Sequence, residues 1–145
     1  MDRKILYLIL ALSIIWIIGG CAHTTEVGKV DADSIIGVWA DKDQKYIYAF
    51  LENSKFKFWV FRDRPEKTQG VWLMDGKTWE ESLRAKKEKI EELYIYTDKV
   101  QCCMSPRFSG NKLMLKKIWM QAYWVDALDV CSDKVLTKIE KMPQD

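Results

Sequence analysis

The chain has 145 residues, 48% hydrophobic and 12% aromatic, with 23 Lys and Arg against 21 Asp and Glu and a formal net charge of +2. This length suits one globular domain, and the composition lacks the low hydrophobicity and charge surplus of disordered chains. A near-neutral balance carries no phosphate-tracking basic surface, so nucleic acid is not an expected partner.

In chain order, Met1-Asp2-Arg3-Lys4 gives a short basic start, Ile5 to Ile18 is uncharged and apolar, and Gly19-Gly20-Cys21 follows. This is the layout of an export signal, read as a signal helix over Met1 to Gly20. A membrane-spanning helix is the competing reading, but it needs roughly 20 apolar residues, and two glycines end this run sooner. Residues 21–34 follow as a tether, since His23 to Asp33 is polar and aperiodic.

Ile18-Gly19-Gly20-Cys21 resembles the lipobox of bacterial lipoproteins. The resemblance implies a diacylglyceryl group on the Cys21 thiol, cleavage before it, and acylation of the new amine, with palmitate among the chains. Several acyl chains hold a protein at a membrane without a spanning helix. In such lipoproteins Asp after the cysteine favours inner-membrane retention; Ala22 stands there, which implies an outer-membrane lipoprotein facing the periplasm.

From Ile35 to Asp145 short apolar runs alternate with turn chemistry, the pattern of an all-β domain. About eight strands are expected, at Gly37–Ala40, Tyr46–Leu51, Phe56–Arg62, Gly70–Met74, Leu93–Thr97, Val100–Met104, Leu113–Val125 and Val135–Ile139. Glu52-Asn53-Ser54 makes a hairpin of the second and third. Asp63 to Lys67 reads as a polar break, Asp75-Gly76 as a turn and Ser105 to Asn111 as a loop. Tyr46 to Leu51 and Phe58 to Phe61 are apolar on both faces, so those strands need cover on both sides.

Thr78 to Glu92 departs from the strand pattern, because Trp79, Leu83, Ile90 and Leu93 recur at helical spacing behind the capping box Thr78-Trp79-Glu80-Glu81. One helical insert is expected there, with Glu80 and Arg84 as an i, i+4 pair and Lys86 to Lys89 on a solvated face.

The single histidine, His23, lies in the tether, so no catalytic triad can be built on it. Cys102-Cys103 with a distant Cys131 is a poor zinc pattern, and no Gly-rich phosphate loop or nucleophile elbow occurs. Asp126 and Asp129 are close in sequence but read as solvated loop acids. The expectation is a non-catalytic protein without a cofactor.

With Cys21 lipidated, Cys102, Cys103 and Cys131 remain in an oxidising compartment. One disulfide and one thiol are expected. Neighbours on a strand face opposite sides, so either Cys102 or Cys103, but not both, faces Cys131. Closing such a loop is worth about 3.5 kcal/mol in the chain-entropy model.

Gly37-x-Trp39, the strand carrying Phe56 and Phe58, Gly70-x-Trp72, Leu113-x-Leu115 and Leu136-x-Lys138 together resemble the small lipocalin-like domains of bacterial envelope lipoproteins. The resemblance implies an antiparallel up-and-down barrel, with Trp39 closing its floor beneath a basic side chain from the last strand, Lys138. Two uses follow. A hollow barrel binds a small apolar ligand among Trp39, Tyr48, Phe50, Phe58 and Trp72; a filled one is a structural or interaction module that meets an envelope protein through Trp59 and Phe61, or Trp119 and Trp124.

Overall fold

A computed structural model describes residues 30–75, 81 and 90–144. The expected signal helix, Cys21 and His23 lie outside these residues, as does most of the expected helical insert.

Eight antiparallel strands form one closed barrel in sequence order: β1 (Gly37–Ala40), β2 (Tyr46–Phe50), β3 (Lys55–Val60), β4 (Glu66–Met74), β5 (Leu93–Thr97), β6 (Val100–Ser109), β7 (Lys112–Ala122) and β8 (Lys134–Ile139). Closure comes from β1 on β8, with Trp39 opposite Lys138. Local turn chemistry sets the hairpins. Asn53 and Ser54 both adopt positive φ, 59° and 61°, inside the tight turn in which the Leu51 N–H donates to the Lys55 carbonyl at 2.9 Å. Gly110, at φ 59°, opens the two-residue turn that pairs Ser109 with Lys112.

Four stretches differ from the sequence reading. First, β4 starts at Glu66, inside the expected polar break, because its polar residues alternate with buried Thr68 and face solvent while the ladder to β3 runs on to Val60. Second, β6 runs through the expected loop to Ser109. Pro106 is tolerated because β5 pairing has already ended at Leu93 opposite Met104, so the missing N–H breaks no ladder bond on that side. Third, β7 stops at Ala122, and Val125–Cys131 forms a 3-10 helix where a strand end and loop acids were expected. Its Ala127, Val130 and Cys131 are buried, a spacing too short to register as a helical period.

The fourth difference is the tether. Residues 30–34 belong to the fold: a one-turn helix, α1 (Ala32–Ile35), buries Ala32 and Ile35. Asp31 caps it, accepting from the Ser34 N–H at 2.8 Å while the Ser34 hydroxyl accepts from the Asp31 N–H at 2.9 Å.

The two ends of the insert are fastened. The Asp75 carboxylate accepts from the Glu91 and Glu92 N–H groups at 3.0 and 2.7 Å, and the Ile90 N–H donates to the Val30 carbonyl at 2.6 Å.

Alternation sends Trp39, Tyr48, Phe50, Phe56, Phe58, Trp72, Leu93, Ile95, Met104, Leu113, Leu115 and Leu136 into one interior core. Ala40, Ile47, Ala49 and Trp59 form a second, outward cluster with Val38, Leu51 and Ile139. This satisfies the need for cover on both faces of β2 and β3.

Candidate functional site

The five aromatic residues expected to line a ligand cavity, Trp39, Tyr48, Phe50, Phe58 and Trp72, all face the barrel interior and are at most 3% exposed. Four of them, with Phe56, meet one another there. Ring centroids lie 4.7 Å apart for Tyr48 and Phe58, 5.5 Å for Phe50 and Phe56, and 5.8 Å for the edge-to-face pair Phe50 and Trp72. Tyr48 also touches Phe50 and Phe56, at 6.3 and 6.2 Å. Trp39 stands apart, against Phe108 at 5.7 Å. These spacings are those of packed aromatic pairs.

Each polar handle in this cluster is spent on the main chain of an element outside the sheet or at its edge. Trp39 Nε1 donates to the Ile35 carbonyl at 2.8 Å, tying β1 to α1 at one end of the barrel. Trp72 Nε1 donates to the Leu51 carbonyl at 2.9 Å. At the other end the Tyr48 hydroxyl donates to the Val130 and Asp129 carbonyls at 3.0 and 3.2 Å, holding the 3-10 helix across the barrel mouth. Burial, with the Asp129 charge adding to it, drives the Tyr48 phenol well above its ordinary pKa, so it is a neutral donor.

Two further ties close that mouth. Cys102 is bonded to Cys131 across a sequence separation of 29, with Cα atoms 6.1 Å apart. Arg62 pairs with the Asp129 carboxylate at the surface. Beside them Lys134 stands over the Tyr46 ring, 4.5 Å from its centroid, and donates to the Ser132 hydroxyl. Its half-burial pulls the ammonium pKa down, opposed by Tyr46, Asp129, Asp41 and Asp133. Asp129 is therefore an end-cap residue with an ion-pair partner, not a free loop acid.

At the α1 end Lys138 Nζ lies 5.4 Å from the Trp39 ring centroid, the pairing that the resemblance implied. Gly37 makes room for it. A Cβ there would sit 2.5 Å from Lys138 Cε, and the backbone is at φ 140°, where side chains are strained. Gly70 has an equally concrete role, since a Cβ would lie 2.0 Å from the Tyr96 carbonyl oxygen.

Of the vicinal cysteines, Cys102 faces inward and Cys103 outward, as strand alternation requires. Cys103 is a free thiol, 1% exposed, whose pKa burial raises, with Glu92 adding to the shift.

The outer surface divides sharply. Trp59, expected to be exposed, is only 4% exposed, because it packs with Ile47, Ala49 and Ala40; Phe61 beside it is 37% exposed. Around the end of β7, by contrast, Ile118, Trp119, Tyr123, Trp124, Val125 and Leu128 are all exposed, Trp124 at 65%. Tyr94 braces Trp119 edge-to-face at 6.4 Å and stacks on Tyr96 at 6.2 Å. The sequence named Trp119 and Trp124 but missed the rest of this patch, since the end of β7 was placed too late. The outer surface also carries a groove of about 510 Å³ bounded by Ala40, Asp41, Lys42, Gln44, Lys112, Val135, Thr137 and Ile139, with mixed polar and apolar walls.

Among the described residues no three His, Cys, Asp or Glu side chains converge as metal ligands, and no helix is long and apolar enough to cross a membrane. Comparison with family models, with curated proteins and with solved structures gives no match.

Proposed function

We propose that the chain is a lipid-anchored, non-catalytic lipoprotein of the cell envelope, on the periplasmic face of the outer membrane, whose lipocalin-like barrel is a filled scaffold that works through its outer surface. The observation that carries the scaffold reading is the interior itself. Four of the five aromatic side chains that would line a ligand cup join one cluster, Trp39 packs on Phe108, and α1 and the 3-10 helix stand at the two ends. A ligand pocket is a mostly pre-formed apolar concavity with a few convergent polar groups, whereas here each Trp N–H and the Tyr48 hydroxyl is already bonded to a main-chain carbonyl. Trp39 beneath Lys138, with Gly37 giving way to the lysine, supports the lipocalin-like reading. The anchor rests on Met1 to Cys21 and their resemblance to a lipobox.

The test is a titration of a Cys21→Ser form, exported with an ordinary signal, against a fluorescent polyene fatty acid and a panel of aromatic compounds. A filled barrel gives no saturable energy transfer from tryptophan at micromolar concentration. Stoichiometric, saturable binding that Phe50→Trp abolishes would replace this reading with ligand carriage.

A further inference from the structure

We propose that a second copy of this chain docks on the free edge of β7, with two Trp119–Tyr123 segments pairing antiparallel about a two-fold axis at Gln121. The inference deepens the reading of a scaffold that acts through its outer surface, and names the partner.

β8 pairs with β7 only from Lys112 to Leu115, so β6 is the only strand paired with residues 116–122, although the 3-10 helix also touches β7. The Tyr123 N–H donates to the Lys99 carbonyl on the β6 side. Main-chain groups two apart on a strand face the same edge, so Tyr123, Gln121 and Trp119 bond towards β6, and Met120 and Ala122 turn their N–H and C=O groups away from it. Among the described residues no main-chain group bonds to either on that side. The lower part of this edge is guarded: Lys116 and Lys117 sit there, the Lys117 N–H is taken by the Asp133 carboxylate at 2.8 Å, and a bulge at Ile118 breaks the register. Charges and bulges are how edge strands avoid pairing. The upper part has neither device.

What the upper part does have is a pattern that reads the same in both directions. Trp119-Met120-Gln121-Ala122-Tyr123 runs aromatic, apolar, amide, apolar, aromatic, with no charge. A two-fold axis through Gln121 sets Trp119 opposite Tyr123, Met120 opposite Ala122 and Gln121 opposite itself. Met120 and Ala122 then exchange their free main-chain hydrogen bonds, and the aromatic pairs meet on the outward face beside Tyr94. A heterologous partner would have no reason to match a palindrome. The apolar surface from Ile118 to Leu128 is also sufficient. With Ile118 50%, Trp119 41%, Tyr123 51%, Trp124 65%, Val125 81% and Leu128 43% exposed, it comes to on the order of 700 Å², near the ~800 Å² per partner of a standard interface and above the usual monomer patch.

The experiment is cysteine cross-linking of the full chain in its own membranes, in a Cys103→Ser background. Gln121→Cys would face its copy in a non-hydrogen-bonded pair, with Cα atoms about 4.5 Å apart, close enough for a disulfide on mild oxidation. A covalent homodimer through Gln121→Cys, none through Lys112→Cys, and twice the protein mass by light scattering of the purified wild-type chain in detergent is the expected result. Met120→Pro removes a free-edge N–H without touching the β6 ladder, and should reduce dimer at least tenfold while circular dichroism stays that of the folded chain. Monomer mass with no cross-link at 121 overturns the proposal, whatever the barrel contains. So does a cross-link to a different protein, and so does a blue shift of tryptophan emission on anionic vesicles without dimer, which would assign the patch to a membrane surface. The fatty-acid titration reads the interior separately, so failure here and failure of the scaffold reading are distinguishable.

Discussion

Phe50 separates a filled barrel from a hollow one most cleanly. It is 0% exposed and touches Tyr48, Phe56 and Trp72. Truncation to alanine forfeits about 2 kcal/mol of transfer free energy for the lost ring. If the surrounding rings, each pinned by its own hydrogen bond or by the sheet, collapse only partly, a residual cavity of about 80 Å³ adds about 2 kcal/mol at ~24 cal/mol per Å³. The sum, about 4 kcal/mol, lowers a urea midpoint by about 3 M at a slope of ~1.3 kcal/mol/M. Equilibrium unfolding of the Cys21→Ser form, followed by tryptophan fluorescence and circular dichroism together, measures it. The variant should also gain affinity for a benzene-sized molecule that the wild type ignores, because an apolar cavity stays dry and accepts such guests. A loss below about 1 kcal/mol would mean that the ring already bordered empty space, and the packing argument would fail.

Reduction of the Cys102–Cys131 disulfide, or Cys131→Ser, should cost about 3.5 kcal/mol for the loop of 29 it closes, read as a fall in melting temperature with dithiothreitol. Thiol titration should find one reactive group in denaturant and almost none in the native state. Burial raises the Cys103 pKa, so the fold holds that proton more tightly than the unfolded chain; stability is full below the ordinary thiol pKa and declines as pH rises past it. Cys103→Ser should flatten that decline in a series of melts from neutral to alkaline pH. Gly70→Ala should be far more damaging than an exposed glycine such as Gly110→Ala, because the obstacle is the Tyr96 carbonyl, which cannot swing aside; comparable soluble yields of the two would contradict the β4–β5 register. Fatty-acid labelling should mark the wild type and not Cys21→Ser, and label retained in the variant would remove the lipid anchor from the account.

Much of the barrel was legible because its strands carry local, period-two signals. β1 and β5 begin and end where the sequence placed them, since Gly37 and the Thr97-Asp98-Lys99 turn mark their limits chemically. The errors have one physical origin. Where a strand's outward residues are polar, as at Glu66 and Lys67 or Ser105 and Arg107, composition looks like a loop although the ladder continues. The 3-10 helix escaped notice for the opposite reason. Its buried residues, Ala127, Val130 and Cys131, make contacts with β6 and with Tyr48, more than eighty positions away in sequence, that no local pattern encodes. The choice between Cys102 and Cys103 was open in sequence because it depends on which face of β6 is inside, and the disulfide to Cys131 decides it. Five of the interior rings were identified, Phe56 and Phe108 were not, and the mutual contacts of all of them depend on barrel diameter and register, which only the closed sheet sets. The exposed patch was partly visible, through Trp119 and Trp124, and the free edge beneath it follows from β8 beginning only at Lys134, opposite Leu115.

Native mass spectrometry of the protein extracted from the cells that make it tests the central claim most directly, since it weighs whatever the barrel holds under the conditions in which the chain works. The expected mass is that of the chain with the acyl groups of the proposed anchor and nothing more, as a monomer or its double. An additional, stoichiometric small molecule that survives desolvation and is released only on unfolding would contradict the filled barrel.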